Sequence, residues 1–214
     1  MNRRYTPIDY ALMQVDQAVC TLFGRPSTTG RSNPATTNEP ASDLTTAERQ
    51  QSARLMRVNH TGEVCAQALY QGQAATARQA TVKQQLLQAA AEENDHLDWC
   101  ETRLHELGSR TSVLNPLFYA GSFLIGAING RLGDRWNLGF LAETEHQVVR
   151  HLDEHLQRLP AQDHKSQAIL ETMKTDEDRH ASMALDAGGI DLPSPVRLLM
   201  RTAAKVMTRT TYWI

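Results

Sequence analysis

The 214-residue sequence is short of cysteine, of aromatics and of charge imbalance, and each scarcity excludes something. Cys20, Cys65 and Cys100 are odd in number and form no C-x-x-C pair, so a disulfide framework is not expected and free thiols in a reducing compartment are. Met1 to Tyr10 is polar and lacks the apolar stretch of a secretory signal, which predicts a cytoplasmic protein. A formal net charge of -2 gives no general pull toward nucleic acid. The charge is uneven, however, and no acidic residue follows Leu192. There is no G-x-G-x-x-G dinucleotide fingerprint and no strand pattern.

What is present is helical. Residues 45–79, 81–107, 135–159 and 163–187 are rich in Ala, Leu, Gln, Glu and Arg, which favour helix by propensity and spacing. Thr45 and Glu48 form a capping-box pattern, and Asp134 and Asp163 stand as N-caps after Gly133 and Pro160. A short amphipathic helix is expected over about Asp9 to Phe23. Residues 24–43, rich in Gly, Pro, Ser and Thr, bury too little apolar surface to offset their ordering entropy and are expected to form a flexible linker. The chain thus divides into an N-terminal helix (1–23), a linker (24–43) and a main all-α domain (44–214).

Two E-x-x-H pairs, Glu93/His96 and Glu177/His180, fall on the second and fourth long segments. Helical positions i and i+3 lie about 60° apart, so each pair aims a carboxylate and an imidazole at one point. Each preceding segment offers one further glutamate, Glu63 and Glu145, giving the order E, E-x-x-H, E, E-x-x-H. Four carboxylates and two imidazoles converging from facing helices make the ligand set of a carboxylate-bridged di-metal site. Without thiolates it does not suit structural zinc. Chance gives roughly 0.5 such pairs in a chain of this composition, so one alone would mean little. A third pair, Glu143/His146, makes Glu143 a rival to Glu145. Glu63 precedes Glu93 by 30 residues; Glu145 precedes Glu177 by 32 and Glu143 by 34, so the repeat favours Glu145. If buried, so acidic a set repels itself unless cations are present.

The runs RVNHTGEVCAQALYQGQ around Glu63, EENDHL around His96, LAETEHQVVRHL around Glu145 and KTDEDRHA around His180 resemble the metal-ligand motifs of the demethoxyubiquinone hydroxylases of ubiquinone biosynthesis. The resemblance covers about Thr45 to Ile214. It implies a ferritin-like four-helix bundle holding two Fe ions per chain on Glu63, Glu93, His96, Glu145, Glu177 and His180, with Glu93 and Glu177 bridging and Glu63 and Glu145 each held mainly by one iron. It also implies O2 as co-substrate and a polyprenyl quinol, a demethoxyubiquinol, as the molecule hydroxylated. The expected location is the cytoplasmic side of the cell membrane, bound peripherally, with other ubiquinone-biosynthesis proteins or further copies of the chain as candidate partners. His151 falls where the resemblance suggests a histidine behind the ligands, although helix geometry sets it off the Glu145 face. Cys100 is read as a small apolar filler.

Two segments bear on the membrane. Leu117 to Ile128, in a long crossover between the second and third long helices, is strongly apolar yet too short for a bilayer of about 30 Å. At the C-terminus Arg197, Arg201, Lys205 and Arg209 recur every four residues opposite Leu199, Ala203 and Val206, ahead of Tyr212 and Trp213, which predicts a basic amphipathic helix. Two other functions compete: a ferritin-like or rubrerythrin-like protein that oxidises iron or peroxide, which needs no lipid-facing surface, and a lipid-binding scaffold, which needs no metal.

Overall fold

A computed structural model describes residues 6–25, 27–36 and 43–214. Among these residues the chain is all-helical, with seven helices: α1 (Pro7–Phe23), α2 (Thr46–Thr76), α3 (Ala80–Glu106), α4 (Asn115–Arg131), α5 (Asp134–Arg158), α6 (His164–Asp186) and α7 (Ser194–Thr211). The four long segments expected from the sequence are α2, α3, α5 and α6, and the apolar crossover is α4.

Local chemistry sets the ends. Thr45 caps α2 through its hydroxyl to the Glu48 amide while the Glu48 carboxylate returns to the Thr45 amide at 2.9 Å, and Thr6 and Asp9 repeat the device on α1. Asp163 caps α6 by accepting from the Ser166 amide. Asp134 does not cap its own helix: Gly133 holds the cap position, and the Asp134 carboxylate turns back to accept the Arg78 and Gln79 amides at 2.9 and 3.0 Å, just ahead of α3. Those donors have no partner inside a helix, so the carboxylate contributes more there than at home.

Helix α2 packs against α3 and α4, and α5 against α6, with further contacts between α3 and α6 and between α2 and α5. One apolar cluster gathers Leu55, Met56, Trp99, Cys100, Leu104, Leu152, Ile169, Leu170 and Met173; a second gathers Tyr70, Leu86, Leu138 and Leu141. Cys100 lies in the first, its thiol 3.8 Å from the Met173 sulfur. The crossing of α2 and α4 is close enough to require glycine. A Cβ on Gly72 would stand 2.2 Å from the Phe123 carbonyl oxygen, and one on Gly126 2.3 Å from that of Leu69. Gly72→Ala is therefore expected to cost about 2 kcal/mol and lower Tm by about 6 °C. Gly121→Ala, on the same helix α4 with nothing within 4 Å of the new carbon, should leave Tm unchanged or raise it. Equal melting of the two variants would show that α4 does not cross α2 this closely.

Of the segment expected to be a flexible linker, residues 26 and 37–42 lie outside the described residues. Residues 27–36 are tied down. Thr29 donates its amide and its hydroxyl to Asp95, Asn94 donates to the Ser27 carbonyl, and Ala35 is buried in the cluster around Trp99. These residues are held by hydrogen bonds to α3 side chains and by one small buried side chain, contacts that the composition of the segment does not register.

Three helices present apolar stripes to solvent. On α1, Ile8, Leu12, Val15 and Val19 share one exposed face, while the partly buried Ala18 and Leu22 pack against the cluster of Val64, Ala68, Leu97 and Tyr119. On α4 the exposed row is Leu117, Leu124 and Ile128. On α7 it is Leu199, Ala203 and Val206, beside the exposed Arg201, Lys205 and Arg209; Met200, Ala204, Met207 and Thr211 make up the more buried face. Tyr212 is not purely interfacial: it packs on the core beside the Arg54 and Arg158 guanidiniums, each 5.5 Å from the ring, whereas Trp213 is exposed.

Candidate metal centre

All six residues of the E, E-x-x-H, E, E-x-x-H set come together in the interior, none more than 3% exposed. The ligand atoms of Glu63, Glu93, His96 and Glu177 lie within 4.8 Å of one another. The i, i+3 spacing does what helix geometry requires: His96 Nδ1 is 2.8 Å from Glu93 Oε2 on its own helix, and His180 Nδ1 is 3.4 Å from Glu177 Oε2 on its own. The pairs also interlock, with His96 Nδ1 3.2 Å from Glu177 Oε1 and His180 Nδ1 3.2 Å from Glu93 Oε1. Glu93 and Glu177 are thus the two carboxylates that reach both imidazoles. Glu63 approaches His96, at 3.8 Å. Glu145 accepts from the Tyr70 hydroxyl at 2.5 Å, and that hydroxyl is 3.5 Å from Glu93. Glu143 points elsewhere, accepting from Gln147 and lying 3.4 Å from the Arg150 guanidinium.

Behind the imidazoles stands a second pair of carboxylates that the sequence reading did not single out. His96 Nε2 lies 3.1 Å from Asp176 and His180 Nε2 lies 3.0 Å from Glu92. Asp176 and Glu92 each immediately precede a cluster glutamate, and each serves the histidine of the opposite helix. Arg179 spans them, 2.6 Å from Glu92 and 3.1 Å from Asp176. The doublets Glu92-Glu93 and Asp176-Glu177 were the available signal. An outer carboxylate holds the imidazole proton on Nε2 and leaves Nδ1 free to donate a lone pair.

Electrostatics separates the members. Burial raises the Glu63 and Glu145 carboxyls well above the usual carboxylate range, reinforced by the neighbouring Glu93 and Glu177. Burial also opposes charge on His180, yet its hydrogen bonds to Glu177 and Glu93 outweigh this and raise it to about 11; His96 rises for similar reasons. Glu93 is pushed up by burial but pulled below its ordinary value by the two imidazoles. In the protein alone, these shifts favour the protonated forms of Glu63, Glu145 and both imidazoles, which lessens the buried negative charge. A donor set of four carboxylates and two imidazoles that holds protons this way fits divalent cations, which replace those protons with charge placed at the same point.

The remaining histidines do other work. His155 packs against His151, ring centroids 3.8 Å apart and planes tilted by 56°, and lies 2.8 Å from Asn59. Burial lowers His151 and His60 to about 4, so both are neutral near pH 7.

The family model for the ubiquinone biosynthesis protein COQ7 matches residues 50–211, a span that contains all six residues. The chain belongs to the COQ7 family. Among its relatives, the 3-demethoxyubiquinol 3-hydroxylase of Nitrosococcus oceani is 55% identical over 213 residues, covering 100% of this chain and 99% of its own. The proteins of the same name from Pseudomonas fluorescens strain SBW25 and Nitrosospira multiformis are 55% and 56% identical over 213 and 207 residues, and the chain spans 99% of each. Similarity to these COQ7-family proteins therefore includes α1 and the strap at residues 27–36, beyond the four long helices that carry the motifs.

Proposed function

We propose that this COQ7-family chain is an O2-dependent di-iron monooxygenase that hydroxylates the ring of a demethoxyubiquinol, a polyprenyl methoxy-methyl-benzoquinol, in ubiquinone biosynthesis. The observation that carries it is the interlocked pair of E-x-x-H units, each imidazole facing Glu93 and Glu177 on one side and an outer carboxylate on the other. The proposed fold is a ferritin-like four-helix bundle of α2, α3, α5 and α6, with α4 as the crossover and α7 as the amphipathic C-terminal helix.

Two Fe ions would be held by Glu63, Glu93, His96, Glu145, Glu177 and His180, with Glu93 and Glu177 shared because only they reach both imidazoles. When bound, the irons would supply the chemistry that joins one atom of O2 to a ring carbon and releases the other as water, with two protons and with two electrons from a reductant, the quinol itself or NADH. The protein's part is positional. Tyr70 donates to Glu145 and fixes that carboxylate's orientation; Asp176 and Glu92 fix the two rings. A buried polar chain runs from the Tyr119 hydroxyl to Gln71, then Gln67, then Asn94, linking α4 to α2 and α3 beside the cluster. Around it the apolar clusters exclude water from the reacting ring.

The substrate's isoprenoid tail accounts for the outward stripes on α1, α4 and α7. No helix of the described residues is long and apolar enough to cross a membrane. The proposed location is peripheral, on the cytoplasmic side of the cell membrane, with the stripes lying in the lipid surface and Arg201, Lys205 and Arg209 near anionic headgroups. The deciding experiment is mass spectrometry of the product after the reduced, iron-loaded protein meets demethoxyubiquinol under labelled O2. One labelled oxygen in the new hydroxyl is expected. Label from water alone, or iron oxidation without hydroxylated product, would transfer the assignment to the ferroxidase alternative.

A further inference from the structure

The outer partners of the two imidazoles are arranged alike except at one point. Each cluster imidazole has an outer carboxylate, and Arg179 touches both of those carboxylates. Asp176 alone receives a second guanidinium, Arg31, at 2.7 Å. Arg31 comes from the strap at residues 27–36, outside the helices that carry the ligands, and its guanidinium also lies over the Trp99 ring, 5.1 Å from the centroid. Trp99 in turn packs beside His96, their rings 5.3 Å apart. On either side of Arg31 the strap is pinned, by Thr29 to Asp95 and by Ala35 in the core. A guanidinium held at both ends of its own segment, stacked on one neighbour of His96 and paired with the other, is a built contact rather than a loose surface ion pair.

We propose that Arg31 is a positioning residue for the metal site: through Asp176 and Trp99 it fixes the His96 ring and makes the His96 side electronically different from the His180 side. The physical reason is charge. A carboxylate shared between two guanidiniums is a weaker acceptor, so it draws the Nε2 proton of His96 less, and His96 donates less electron density through Nδ1 than His180 does. The ion on the His96 side is then easier to reduce than its neighbour. This rests on the di-iron assignment above.

The test uses the full chain. The wild type, Arg31→Gln, Arg31→Lys and Thr29→Val proteins are loaded with iron, the metal is counted, and each is titrated reductively with optical detection. Arg31→Gln should retain the wild-type iron content and Tm but lower the higher of the two midpoint potentials at least tenfold in equilibrium constant, about 59 mV for one electron. Arg31→Lys should restore most of the shift, since it keeps the charge, and Thr29→Val, which loosens the strap without touching Arg31, should move part of the way. Unchanged potentials in Arg31→Gln, or an equal shift in Arg31→Lys, would overturn the proposal. Hydrogen exchange at residues 27–36 in the metal-free proteins is read alongside. Faster exchange in Arg31→Gln is expected; unaltered exchange would show that Arg31 is not held on Asp176, whereas a wild type that takes up no iron would count against the di-iron assignment itself.

Discussion

Glu93→Ala should empty the site of both irons and reduce hydroxylation to background, and Glu177→Ala should do the same. Each carboxylate lies within 3.4 Å of both His96 Nδ1 and His180 Nδ1, so its loss removes a shared donor and leaves two imidazoles facing a gap. Changing an outer partner of a metal ligand typically costs 10- to 100-fold in affinity, and a bridging ligand should cost more than about 100-fold. Metal analysis of protein purified with iron present, paired with the hydroxylation assay, checks both effects. Glu143→Ala is the control: that carboxylate pairs with Gln147 and Arg150, and iron content should remain near wild type. A site emptied by Glu143→Ala but full in Glu145→Ala would reverse the third-helix assignment. Uptake should also strengthen as pH rises, because burial keeps protons on Glu63 and Glu145 that metal must displace.

Glu63 and Glu145 were legible only through the order of the segments, the 30- and 32-residue spacings and the family resemblance, whereas Glu93, His96, Glu177 and His180 were legible because the i, i+3 relation is a property of one helix, independent of tertiary structure. Two such pairs at matched spacing therefore predict their own convergence. Glu92 and Asp176 left no signal beyond their doublets, and Arg31 left none, for the opposite reason. Asp176 serves a histidine 80 positions away and Glu92 one 88 positions away, and each acts across to the facing helix, which no local periodicity encodes. The strap shows the same limit. Counting apolar residues over 24–43 predicts flexibility, but Thr29 and Arg31 are held by Asp95, Asp176 and Trp99, partners visible only once α3 and α6 stand side by side. On α1 the amphipathic pattern was clear, whereas its direction was not: the apolar stripe faces outward, and Gln14, Gln17, Ala18 and Thr21 turn toward the protein.

That outward stripe sets the second large effect. Substituting Leu12→Glu and Leu124→Asp together should release the protein from liposomes while leaving iron content and Tm close to wild type. Both side chains are more than 60% exposed, and neither belongs to an apolar core cluster. Burying a leucine in an apolar phase contributes roughly 1.5 to 3 kcal/mol, and two together about 4, which is near a thousandfold in partitioning. Placing carboxylates there adds to the loss, since a charge avoids the acyl region. The effect on turnover separates access from chemistry. If the proposed peripheral site is right, a long-chain demethoxyubiquinol dissolved in the bilayer would reach the metal centre only from a protein seated on that bilayer, so its turnover should fall by orders of magnitude. A short-chain analogue arriving from water should be hydroxylated at close to the wild-type rate. Equal losses with both substrates would place Leu12 and Leu124 in the route of the ring itself, and undiminished liposome binding would reassign the two stripes to contact with another protein.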